Sequence, residues 1–121
     1  MAFLFKANSQ TYYVYSDGNS NSYTLDEMKL VYTPVNPEES SSGTYSGGKA
    51  KRAEITIDAF KNLSAMLDKA MSAKDQQQEK REMGTAQIGK YSKGKLKKKA
   101  ILKMNASCKK KIEDEFKAIL K

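Results

Sequence analysis

Phe60, Leu63, Leu67 and Ala70 recur at helical spacing, with Met66 and Met71 beside them. Steps of three and four residues return to the same side of an α-helix, so this stripe predicts one amphipathic helix over residues 58–73. Thr56 stands where its hydroxyl can accept from the open N–H groups of a first turn, and Asp58 suits the positive helix end. A helix with one apolar side needs an apolar surface to lie on.

That surface is expected to be a sheet. Residues 2–7 (AFLFKA) and 11–16 (TYYVYS) are short segments rich in β-formers, and Asn8-Ser9-Gln10 between them reads as a hairpin loop. Residues 17–22 (DGNSNS) have the composition of a turn, since Asp, Gly and Asn tolerate positive φ and bond the local backbone. Residues 23–25 resume an extended run. Residues 28–34 (MKLVYTP) make a further strand candidate, ending at a proline that cannot donate to a ladder. Residues 52–57 (RAEITI) are another. Residues 85–91 and 96–104 flank Ser92-Lys93-Gly94, a tight-turn candidate.

Ser107 can cap a last helix. Its stripe is Ile112, Phe116, Ile119 and Leu120, with Cys108 one turn before Ile112 on the same side. The polar tract 74–82 (KDQQQEKRE) has good helix formers but no apolar stripe, so fraying or a loop is expected there. The fold class that follows is α+β: a single domain over residues 1–121, with an antiparallel sheet of about five strands and two helices on one face. Residues 34–50 contain both prolines and a Ser/Gly cluster, and are expected to form a long flexible loop.

The net charge of +8 is unevenly placed. Up to residue 60 there are five basic and seven acidic residues, and beyond it seventeen and seven. Residues 90–111 hold ten lysines and no acid. Within them Leu96, Ala100, Leu102 and Met104 share one parity, and Lys95, Lys97, Lys99 and Lys103 share the other. The pattern predicts a half-buried strand with its lysines outward, about 6.5–7 Å apart along one face. Lys98 falls on the inner parity, which places it near the strand end or has it reaching out along its stem.

Several chemistries are excluded or disfavoured. The chain has no histidine, which removes the commonest general base and metal ligand and every His-based nucleophile. Its one cysteine, Cys108, excludes an internal disulfide and is expected to be a small buried hydrophobe. Residues 43–50 (GTYSGGKA) nearly match a phosphate-binding loop, but Ala50 lacks the hydroxyl that Mg²⁺ needs, and the segment leads into a strand candidate rather than a helix. Glu113, Asp114 and Glu115 are adjacent on a helix and cannot converge on one ion, so they are expected to balance neighbouring lysines. No metal site and no cofactor are expected.

Two binding readings remain. Alternation sends Tyr13 and Tyr15 to the face opposite Tyr12 and Val14, so one tyrosine set should be exposed for recognition. With the 34–50 loop, this points to a small basic non-enzymatic protein that engages another, unidentified protein, and Tyr13 and Tyr15 are its candidate contacts. The alternative is sequence-nonspecific binding of nucleic acid through Lys95, Lys97, Lys99 and Lys103. Against it, only Arg52 and Arg81 are arginines, and Tyr91 is the nearest aromatic. The bland account of the lysines is a solvated strand that resists edge-to-edge pairing. No apolar run reaches membrane-spanning length, and the start lacks the apolar core of a signal peptide. A cytoplasmic location is expected, a mature secreted domain with an added Met reading the same way. Composition leaves the oligomeric state open.

Overall fold

The structure is a computed structural model, in which residues 11–35 and 48–121 are described. The strand candidate at 2–7, its hairpin loop at 8–10 and the centre of the loop at 34–50 lie outside the described residues. The described residues form six strands, one more than the expected five or so: β1 (Thr11–Ser16), β2 (Ser22–Leu25), β3 (Lys29–Thr33), β4 (Lys51–Glu54), β5 (Ala86–Ser92) and β6 (Lys95–Leu102). They make one antiparallel sheet in the order β4-β3-β2-β1-β5-β6. Two helices, α1 (Ile57–Ser72) and α2 (Ser107–Ile119), pack on one face. The class is α+β. None of the described helices is long and apolar enough to cross a membrane.

Both helices bury the stripes that their sequences predict. In α1 these are Leu63, Leu67, Ala70 and Met71; in α2 they are Ile112 and Phe116. Thr56 caps α1, its hydroxyl accepting from the Ala59 N–H at 3.1 Å. The sheet supplies the facing half of the core through Tyr13, Tyr15, Tyr23, Leu25, Leu30, Ile88, Ala100 and Leu102. The register puts Tyr15, Tyr23 and Tyr32 in one row across β1, β2 and β3. The Phe116 ring sits against that row, 5.6 Å from Tyr15 and 4.8 Å from Tyr23 between centroids.

Tyr13 and Tyr15 are therefore core residues, 2% and 0% exposed, and not the exposed pair the alternation left open. Both β1 faces carry tyrosine, so period-two patterning separated the sets without saying which one the helices cover. Each buried hydroxyl is satisfied by a carboxylate on a helix, which removes the cost of burying it. Tyr13 donates to Asp68 of α1 at 2.9 Å and Tyr15 to Glu113 of α2 at 2.6 Å. A lysine shares each acceptor: Lys90 lies 3.3 Å from Asp68, and Lys109 lies 3.2 Å from Glu113. Burial, and then the bond to a carboxylate, push both phenols well above the ordinary tyrosine range.

The polar tract after α1 has a structural role that its composition did not announce. A short 3-10 turn, Lys74–Gln76, leads into two glutamines that close two helices. Gln77 donates its side-chain amide to the Ala70 carbonyl at 2.8 Å, near the end of α1. Gln76 accepts from the Cys108 N–H at 3.0 Å and from the Ser107 hydroxyl at 3.1 Å, at the start of α2. Ser107 was expected to cap α2 itself; it is instead the first helical residue, and the cap comes from 31 residues upstream. Backbone bonds from Gln78 to Ile101 and from Lys103 to Gln76 then pin the same segment along the end of β6.

The β5–β6 hairpin turns through Lys93 and Gly94, both at positive φ (53° and 78°), the combination that matches strand twist. Its register is not regular. Lys90 pairs with Lys98 but Tyr91 pairs with Leu96, so Lys97 is an extra residue in a bulge. This bulge overturns the predicted single parity of β6. Ala100 and Leu102 do face the helices, but Leu96 is 49% exposed and Met104 is 66% exposed.

Candidate functional site

Antiparallel sheets commonly bury one face and leave the other to solvent. Here the residues opposite the helices can be read straight from the register. One row crosses all six strands: Arg52, Val31, Thr24, Val14, Gly89 and Lys99, from β4 to β6. At about 4.8 Å per strand it spans roughly 24 Å, with a cation at each end. Beside it Tyr12, Tyr91 and Leu96 form a second row across β1, β5 and β6. Ile101 completes the surface, buried yet outside the core cluster under the helices.

The two tyrosines are parallel to within 1°, with ring centroids 5.0 Å apart. Gly89 makes room for this arrangement. A Cβ there would stand 3.0 Å from the Tyr91 ring and 3.4 Å from Leu96, so a side chain at this position would make the ring give by a few tenths of an ångström. The pair was missed as a pair because Tyr12 and Tyr91 are distant in sequence and meet only through β1–β5 pairing. Among the described strand residues on this face the only acid is Glu54, directly opposite Lys29 in the register.

The lysines singled out from sequence divide. Lys99 lies opposite Gly89 on the sheet face away from α1 and α2, which is free of helix among the described residues and is called the helix-free face in that sense. Lys97 is exposed in the bulge at the sheet edge. Lys95 pairs with Ser92 and so points to the other face, because Tyr91 and Leu96 hold this one. Lys103 lies beyond the strand, tied through its N–H to Gln76. The four therefore do not form one row, and the bulge is the reason. Lys98 keeps inner parity but is exposed, on the edge strand β6. Of the ten lysines in 90–111, Lys90, Lys109 and Lys110 are paired with carboxylates; the other seven make no ion pair among the described residues.

Of the two arginines, Arg81 is committed to structure. It donates to the Thr85 carbonyl, to the Thr85 hydroxyl at 2.9 Å and to the Asp17 carbonyl at 3.0 Å. Arg52 remains on the helix-free face. Cys108 lies half-buried against the core, and burial pushes its thiol up, opposed by the N–H groups of the first turn of α2. Glu113 and Asp114 pair with Lys109 and Lys110 along α2, as their spacing suggested. The near-match at 43–50 ends in Gly48–Ala50, which runs into β4 rather than a helix, so its setting is not that of a phosphate-binding loop.

The chain matches no family model, and no curated protein or solved structure matches it either.

Proposed function

We propose that the protein is a non-enzymatic binder of single-stranded nucleic acid, without sequence readout, through the helix-free face of its sheet. The observation that carries this reading is the stacked Tyr12–Tyr91 pair on a face with cations at both edges. Bases of a single strand offer π-faces to aromatic side chains, and its phosphates attract cations along the track. A face of roughly 24 Å would take on the order of four nucleotides. Lys97 and Lys98 at the edge add charge without adding base readout, because an ammonium is a point charge and not a planar fork. The expectation of a protein partner leaned on Tyr13 and Tyr15, which lie in the core. The nucleic-acid reading has exposed residues to act through.

The test is fluorescence anisotropy with mixed-sequence single-stranded DNA and RNA over a salt series. If Arg52, Lys97 and Lys99 each meet a phosphate, log K should fall against log salt with a slope of about −2, at roughly −0.7 per contact. Tyr91→Ala should weaken binding by roughly 5- to 150-fold, the loss of about one base stack. Absence of binding at about 50 mM salt would refute the reading, and so would tight binding indifferent to salt.

A further inference from the structure

β6 is an edge strand of the sheet, and only part of that edge is covered. The Ile101 carbonyl accepts from the Gln78 N–H at 3.0 Å, and the Lys103 N–H donates to the Gln76 carbonyl at 2.8 Å, on either side of an antiparallel bridge between Gln77 and Leu102. Residues 76–78 thus lie along the end of β6 as a short added strand. Beyond Gln78 the chain leaves this edge, and Arg81 is already bonded to Thr85 and Asp17 beside the start of β5. The burial of β6 changes at the same point: Ala100, Ile101 and Leu102 are buried, whereas every residue from Lys95 to Lys99 is exposed. Successive residues of an antiparallel strand turn their N–H and C=O groups to alternate sides. Ile101 and Lys103 turn theirs outward to residues 76–78, so Lys99 turns its N–H and C=O outward too, where no described residue bonds them.

Lys95, Lys97, Lys98 and Lys99 line this open stretch, and none of them makes an ion pair among the described residues. Lysines on an edge resist pairing between copies of one chain. β6 against β6 sets lysine beside lysine, and β6 against the other edge, β4, sets lysines beside Lys51 and Arg52. The same charges favour an acidic strand, because opposite charges across a strand pair attract and like charges repel.

We propose that the open part of the β6 edge takes up an acidic peptide segment of another protein as an added antiparallel strand. The main-chain donor and acceptor of Lys99 continue the ladder begun by residues 76–78, and the lysines select the partner. Lys98 faces the helix side of the sheet and Lys99 the other, so consecutive acidic residues in the partner meet both. The bulge at Lys97 interrupts the regular ladder, which limits the segment to a few residues. The inference rests on the backbone of β6 and not on the face of the sheet, so it is independent of single-strand binding.

The experiment titrates three capped hexapeptides into the ¹⁵N-labelled full chain at low salt and follows amide shifts and hydrogen exchange. They are TVEEVT, the same peptide methylated on both glutamate nitrogens, and TVKKVT. The acidic peptide should bind saturably and protect the Lys99 amide from exchange. Methylation keeps the charge but removes main-chain donors, and should weaken binding by about tenfold or more. TVKKVT should not bind. Lys98→Gln/Lys99→Gln should weaken TVEEVT binding by about fivefold. The inference is overturned if TVEEVT does not bind, if the methylated peptide, TVKKVT or the Gln variant binds equally well, or if the Lys99 amide stays unprotected. Protection of that amide rising with protein concentration, peptide absent, would make a second copy the occupant and would overturn it as well.

Discussion

Phe116→Ala is expected to lower stability by about 3–5 kcal/mol, read from the midpoint of a urea melt at unchanged slope. Phe116 is 1% exposed, and its ring meets Tyr15 edge-on and Tyr23 at a tilt. Truncation removes that area and opens a cavity. The cavity cannot collapse easily, because Tyr15 is held by Glu113 and the sheet backbone is fixed by pairing on both sides of β1. The loss is a large part of the roughly 5–15 kcal/mol usual for a domain. A change below about 0.5 kcal/mol would mean that α2 does not seat on the tyrosine row.

Leu67→Ala tests the other helix. Leu67 is 1% exposed at the centre of the α1 stripe, between the Leu63 and Met71 levels. The expected cost is about 2–5 kcal/mol, the spread depending on how far Met71 and Met66 can refill the space. The exposed neighbour Lys61→Ala serves as a control and should stay within about 0.5 kcal/mol. Equal costs at the two positions would place the wrong side of α1 against the sheet. Phe116 and Leu67 lie on different helices, so their costs should add unless the two cavities share a wall.

Much of this architecture was legible in the chain. The 3.6-residue stripes gave both helices, and Thr56 marked where α1 begins, because local periodicity and capping are local chemistry. The β5–β6 hairpin was legible through Ser92-Lys93-Gly94. The bulge at Lys97 was not, since a bulge is a property of how two strands pair and not of either one. It moved Lys95 to one face and left Leu96 and Lys99 together on the other. Tyr13 and Tyr15 were correctly separated from Tyr12 and Val14, yet assigned as the exposed candidates. What decides between the faces is which one the helices cover, and Asp68 and Glu113 bond them from 55 and 98 residues away. The glutamines at 76 and 77 carry no periodic signal; their caps arise only when α1 and α2 lie side by side. The proposed site was half visible: the lysine excess stands out in the composition, whereas the Tyr12–Tyr91 stack depends on long-range register.

The central claim is that the helix-free face holds a single strand. Its most direct test is titration of a 5′-hydroxyl single-stranded oligonucleotide into ¹⁵N-labelled protein at low salt, followed by backbone amide shifts. The account predicts shifts concentrated at Tyr12, Val14, Thr24, Val31, Gly89, Tyr91, Leu96 and Lys99, with the amides of α1 and α2 unmoved. Shifts confined to the helices, or an unchanged spectrum at strand concentrations that saturate the anisotropy signal, would contradict it.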